Sequence, residues 1–179
     1  MKGLGRRLRS GIMCVSPQDE MIYIHDADGN VLDSLSYLAL DVTDWGYVYE
    51  RHVAQVLASR GYEVSMNGLE KGFLDGGIDL IARHPEEGDV YIQCKFMTKG
   101  RLGKQRIEWI LYNASRYLEK VCTGRQLHFW LVIPSYQRAF VMKTSRQGRV
   151  TYPVASYFLS KNKIQSQVRL HIVEIEMVR

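Results

Sequence analysis

Cysteine is scarce in this chain. Cys14, Cys94 and Cys122 are odd in number, widely separated, and include no C-x-x-C pair. That excludes a disulfide framework and leaves too few ligands for a zinc or iron–sulfur centre, so reduced, mostly buried thiols are expected. Long apolar runs are missing as well. No stretch approaches the roughly 18 consecutive apolar residues a membrane span needs. The run Gly11 to Val15, which follows a basic start containing Arg6, Arg7 and Arg9, is too short for a signal-peptide core. A cytoplasmic protein with no membrane partner is expected. His25, His52, His84, His128 and His171 show no metal-ligand spacing; His52 falls on the apolar side of its helix and reads as a core residue. Neither charge sign dominates: 24 lysines and arginines face 19 acidic residues, a net +5. That excess favours a polyanionic partner without requiring one.

What is present suits one ordinary globular domain. The chain has 179 residues, 46% of them hydrophobic, enough for a single core and an appendage. Residues 1–40 read as an N-terminal extension with a β-hairpin, in which Met21 to Ile24 and Val31-Leu32 flank the turn Asp28-Gly29-Asn30. Residues 41–179 hold the segments that carry chemistry.

Helical periodicity begins at about Val42 and runs to Arg60, with Asp41, Thr43 or Asp44 as caps and Gly61 as the stop. Val42, Trp45, Tyr49, Val53 and Val56 form its apolar stripe, and Glu50 falls at the margin, where a side chain can still reach a solvated cleft. Tyr62 to Ser65 reads as a short strand. Asp75-Gly76-Gly77-Ile78-Asp79 is a glycine-marked bend feeding another, and Val90 to Phe96 alternates as a third. In that third strand Val90, Ile92, Cys94 and Phe96 share the core face, while Tyr91, Gln93 and Lys95 share a face read as polar and open.

A second helix is expected over about Gln105 to Val121, with Ile107, Ile110, Leu111, Ala114, Tyr117, Leu118 and Val121 inward. Leu127 to Ile133 is apolar enough for a central buried strand. Residues 139–152 fit either a hairpin around Arg146-Gln147-Gly148 or the start of a helix, and Val168 to Val178 fits a closing strand. The order helix, strand, strand, strand, helix, strand gives an α/β fold with a central sheet.

Phosphodiester hydrolysis needs a hard cation on oxygen ligands, with open positions for water and phosphate, and a positive group beside the attacked phosphorus. The residue types are here: Asp79 after two glycines, Gln93 and Lys95 two apart on the next strand, and Glu50 on the preceding helix. If the two strands pair as a hairpin, Asp79 comes beside Gln93.

Asp75-Gly76-Gly77-Ile78-Asp79-Leu80-Ile81 followed by Tyr91-Ile92-Gln93-Cys94-Lys95 resembles the PD-(D/E)xK nuclease superfamily, in particular its Mrr-type restriction endonuclease branch. The resemblance covers roughly residues 42–133. It implies a restriction-endonuclease-like core: a central mixed β-sheet flanked by helices. It further implies magnesium, for which manganese could substitute, held by Asp79, Gln93, Glu50 and the backbone carbonyl of Cys94, with Lys95 positioning the water nucleophile. Two positions depart from the superfamily pattern: Gln93 stands where a second carboxylate is common, and Ile78 where proline is. The implied partner is DNA, and double-strand cleavage would call for a homodimer. A Holliday-junction resolvase and a DNA-binding module that has lost hydrolysis are the alternatives on the same fold.

Lys99, Arg101, Lys104 and Arg106 follow the Gln93–Lys95 strand and are candidate phosphate contacts. Arg138, Lys143, Arg146 and Arg149 form a further basic cluster.

Overall fold

In the computed structural model, which describes residues 3–67, 76–97, 100–121, 127–161, 163–165 and 168–178, the first long helix begins at a capping box. Asp41 accepts from the Asp44 N–H, and Asp44 accepts in return from the Asp41 N–H. Such a cap stabilises a helix by about 1 kcal/mol. Counting short helix α1 (Leu4–Arg9) first, this helix is α2 (Val42–Ser59). It ends where Gly61 takes φ 90°, the left-handed conformation glycine adopts without strain. Trp45, Val48, Tyr49, Val53, Ala54 and Leu57 are its buried apolar residues. Val42, expected in the stripe, is exposed at the first position of the helix.

The N-terminal segment is more than a hairpin. Strands β1 (Ile12–Ser16), β2 (Met21–His25) and β3 (Val31–Ser36) form an antiparallel sheet in that order. The hairpin read from the sequence is β2–β3; β1 was not anticipated. Its edge is closed by a side chain instead of another strand. Met13 N–H donates to Gln55 Oε1 and Gln55 Nε2 donates to the Met13 carbonyl, at 2.7 and 2.8 Å. Arg51 donates to the Gly11 carbonyl at 2.7 Å, and Arg7 grips Asp33. Leu4, Leu8, Met13, Ile22, Ile24 and Leu35 share one apolar cluster with α2.

The central sheet has six strands: β4 (Glu63–Ser65), β5 (Leu80–His84), β6 (Gly88–Cys94), β7 (Leu127–Ile133), β10 (Lys163–Gln165) and β11 (Val168–Glu174). Their spatial order is β10-β11-β7-β6-β5-β4. The β4–β5, β5–β6 and β10–β11 pairs are antiparallel, while β6–β7 and β7–β11 are parallel. A parallel β6–β7 pair needs a crossover, and α3 (Lys104–Val121) supplies it. Between β7 and β11 come α4 (Tyr136–Ala139), the hairpin of β8 (Lys143–Thr144) with β9 (Val150–Thr151), and α5 (Pro153–Lys161). Residues 139–152 thus finish a short helix and form a hairpin. Helix α5 was not anticipated, because its apolar pattern is weak and proline opens it.

Both faces of the sheet are covered. One packs on α2 and the N-terminal sheet. The other packs on α3 and α5 through Ile107, Ile110, Ala114, Leu118, Ala155 and Phe158. The Tyr91–Gln93 face of β6, read as polar and open, is therefore buried against α3, and Tyr91 is 8% exposed. The alternation placed the residues on the correct faces but did not say what covered the second one. Of the thiols, Cys94 is buried and Cys14 is exposed; Cys122 lies outside the described residues. Among the described residues no helix is long and apolar enough to cross a membrane.

Candidate active site

Antiparallel pairing of β5 with β6 sets Leu80 against Ile92, so Asp79 enters beside the end of β6. Its N–H donates to the Ile92 carbonyl at 2.8 Å. Its Oδ2 accepts from the Cys94 N–H at 2.7 Å. One residue therefore spends both main chain and side chain on fixing its own position. Asn67, which is buried, donates to the Ile78 carbonyl at 2.7 Å and holds the approach from the other side.

The Gly76-Gly77 bend is required by contact as well as by conformation. Both residues have positive φ, 65° and 76°. A Cβ on Gly76 would come within 2.7 Å of the Tyr117 Cβ, and one on Gly77 within 3.3 Å of Gln93 Nε2. The bend lies flush on α3 and delivers Asp79 at the point where β5 begins. Asp75 lies outside the described residues.

These pieces wall a cleft of 960 Å³ at the C-terminal end of β6, between α2 and α3. Helix α2 contributes Thr43, Tyr47 and Glu50; the strand ends contribute Asp79, Cys94 and Lys95; α3 contributes Arg106, Asn113, Arg116, Tyr117 and Lys120. Phe96 packs against Trp45 and Tyr49, with ring centroids 5.9 and 5.3 Å away, and anchors the segment just past Lys95 on α2. Glu50 and Lys95 are half-buried, and Asp79 is 8% exposed.

Electrostatics reports the same convergence. The Cys94 thiol is pushed well above its ordinary range, chiefly by burial, then by the nearby charges of Asp79 and Glu50, with Lys95 opposing them. Two carboxylates and one ammonium thus act on one buried sulfur. Tyr49, whose hydroxyl donates to the Ile175 carbonyl at 2.8 Å, is also pushed up, first by burial.

Gln93 lies behind this wall. It is 8% exposed, its amide sits against Gly77, and Asn113 flanks the same glycine. Its Oε1 is buried and has no hydrogen-bond partner among the described residues. Such an oxygen costs about 1–3 kcal/mol to bury and calls for a reason. Among the described residues, no group of three or more His, Cys, Asp or Glu side chains gathers as a metal cage. Glu50 and Asp79 are the carboxylates of the cleft, and further donors would be amide, main-chain or solvent oxygens.

Of the basic residues expected to meet phosphate, Arg106 lines the cleft. Lys104 lies 3.7 Å from Glu108 and 4.9 Å above the Tyr157 ring, and Arg101 is exposed and donates to the Gly100 carbonyl. Lys99 lies outside the described residues. Sequence reasoning passed over Asn113, Arg116 and Lys120. At about 100° per residue they fall on the Arg106 side of the helix, a signal that a search for a polar stripe would have found.

Residues 44–120 match the family model described as Restriction endonuclease, the Mrr catalytic domain, which fits a PD-(D/E)xK nuclease and a restriction-endonuclease-like fold. No curated protein and no solved structure matches the chain.

Proposed function

We infer that the chain is a divalent-cation-dependent endonuclease of the PD-(D/E)xK type that hydrolyses DNA phosphodiesters in the cleft between α2 and α3, a reading supported by the match of residues 44–120 to a restriction-endonuclease family model. The observation that carries this reading is the convergence of Glu50, Asp79 and Lys95 on one cleft, with a buried Gln93 oxygen at its back that has no hydrogen-bond partner among the described residues.

The donor set suits a hard cation. Glu50, Asp79 and Gln93 offer oxygen only, joined by the backbone carbonyl of Cys94, which favours magnesium or manganese over softer metals. Gln93 contributes a neutral carbonyl where a third carboxylate would add charge. When bound, the ion polarises the phosphoryl group and lowers the pKa of the attacking water.

The protein's own groups do the rest. Asp79, tied to the Cys94 N–H, holds its carboxylate at a fixed point of the wall. Lys95 orients the water nucleophile and offsets the charge that gathers on phosphorus. Arg106, Arg116 and Lys120 face the cleft from α3 and take flanking phosphates. Arg101, on the loop before α3, and Lys104, at its first residue, would extend that track. Cutting both strands with one such centre per chain would take two copies.

The test is cleavage of supercoiled plasmid with magnesium by wild type, Asp79→Ala and Lys95→Ala. Wild type should nick or linearise it and both variants should be silent; equal cleavage by all three would assign the activity elsewhere.

One observation favours a second reading, a DNA-binding module on the same fold without hydrolysis: among the described residues the cleft has two carboxylates where a cage of three would bind metal more tightly. Calorimetric titration with magnesium and manganese separates the two. A binding heat that vanishes in Asp79→Ala supports the enzyme, and no heat in wild type supports the module.

A further inference from the structure

Helix α3 carries two large aromatic side chains that the core does not use. Trp109 is 59% exposed and Tyr112 is 53% exposed. Their rings stack on each other, with centroids 5.8 Å apart and planes within 26°. Arg116 extends the stack, its guanidinium 5.9 Å from the Tyr112 ring centre. Exposed tryptophan in open water forfeits burial of a large apolar surface, so two stacked rings on one helix face need an occupant.

The position of the stack says what kind. With Arg106 at 0° and about 100° per residue, Tyr112 falls near 240°, Arg116 near 280°, Trp109 near 300°, Lys120 near 320° and Asn113 near 340°. Along the helix Trp109 thus lies between Arg106 and Arg116, two cations that line the cleft, and Arg116 belongs to the stack and the cleft wall at once. The cleft-lining residues of α3 include three cations and no carboxylate. An aromatic pair alone would suit many apolar partners. Interleaved with three cations at helical spacing, it matches a polymer that alternates phosphates with flat, stackable rings.

We propose that Trp109, Tyr112 and Arg116 form a stacking platform for unpaired nucleobases, so that the substrate of the neighbouring centre is DNA with a single-stranded or extruded segment beside the cut. This rests on the nuclease reading of the cleft. The bases of an intact duplex are stacked on one another and offer no free face to Trp109; a frayed end, a bulge or a branch does. Arg116 places the platform directly beside the cleft, so an unpaired base held on it keeps the adjoining phosphates within the basic track.

The test is fluorescence anisotropy with the full chain in EDTA, where cleavage cannot intervene. The probes are a labelled oligothymidylate, an oligomer of equal length built from abasic residues, and a duplex. Wild type should prefer the base-bearing single strand over the abasic one by about tenfold or more, the scale of stacking one or two bases. Trp109→Ala and Tyr112→Ala should each cut that preference several-fold while leaving abasic binding unchanged. Both side chains are exposed, so the variants should keep the wild-type unfolding midpoint. Equal affinity of wild type for the base-bearing and abasic strands would overturn the proposal. So would a dimer in sedimentation that dissociates on Trp109→Ala, since the stack would then be a contact between copies. Failure of the nuclease reading shows up separately, as a wild type that keeps the base preference yet cuts nothing when magnesium is supplied.

Discussion

The Cys94 main-chain N–H donates to Asp79 Oδ2 at 2.7 Å, across the junction where β5 begins and β6 ends. A buried N–H with a carboxylate acceptor is a charge-assisted bond, stronger than a ladder bond between two peptides. The carboxylate is therefore part of the sheet as well as part of the cleft, and replacing it should have two separable consequences.

Asp79→Ala leaves the Cys94 N–H buried without its acceptor, at a cost of about 1–3 kcal/mol in stability. Asp79→Asn keeps an oxygen there and should cost less. Both remove the charge, and plasmid cleavage should fall by roughly 100-fold or more in each, the worth of a few kcal/mol of transition-state stabilisation. Urea unfolding and cleavage measured on the same preparations check this. Cleavage retained in Asp79→Asn would mean that the hydrogen bond, not the charge, is what the site needs.

Gln93 should show function traded against stability. Its Oε1 is buried with no hydrogen-bond partner among the described residues, so Gln93→Met, similar in length and apolar, removes an oxygen that costs about 1–3 kcal/mol to bury. The variant should melt at the same temperature or higher while cleavage is lost. Gln93→Glu should instead bind manganese more tightly in calorimetry, since a charge joins those of Glu50 and Asp79. A clear drop in melting temperature for Gln93→Met would show that the amide has a structural partner.

Much of this centre was legible in the sequence, for local reasons. The glycine bend, the alternation of β6 and the capped periodicity of α2 depend on neighbours only a few residues apart, and they placed Asp79, Lys95 and Glu50 on three elements that do meet. The β5–β6 hairpin, read from spacing, put Asp79 beside the end of β6 as expected. What stayed hidden depends on distant packing. The Tyr91–Gln93 face looked open because the alternation of β6 carries no record of α3 lying on it. Strand β1 was missed because its edge is satisfied by the Gln55 side chain from α2, a partner that no local pattern announces. Arg116 and Lys120 share a polar stripe with Arg106, but only the packing of α2 opposite α3 turns that stripe toward a cleft.

Arg116 and Lys120 should govern the salt dependence of binding. Each cation that neutralises a phosphate adds about 0.9 to the slope of log K against log salt. Arg116→Ala combined with Lys120→Ala should therefore flatten the slope for a duplex by about 2, whereas Lys104→Ala, already engaged by Glu108 and Tyr157, should change it less. Binding in EDTA from low to moderate salt measures all three slopes. A double variant with the wild-type slope would remove α3 from the phosphate track.

Two histidines should give the fold a pH limit distinct from that of catalysis. His52 donates from Nε2 to the Glu176 carbonyl at 2.9 Å, and burial lowers its pKa below the usual 6.5. His171 is lowered by burial, then by His128 and Arg169; its Nε2 lies 3.0 Å from His128 Nδ1, a bond that needs one ring nitrogen as acceptor. In both cases the folded state holds its proton less tightly than the unfolded chain. The stability they contribute is complete above about pH 6.5 and is lost as pH falls through the lowered values. Asp33, held below the usual carboxylate range by its hydrogen bond to Arg7, follows the same rule in a more acidic window, below its ordinary 3.8. Urea midpoints should accordingly decline between pH 7 and 5, and His171→Asn should flatten that decline without altering the further loss below pH 3.8. A midpoint constant from pH 7 to 5 in the wild-type protein would mean that both rings accept protons in place and that the bond between His128 and His171 is not held in solution.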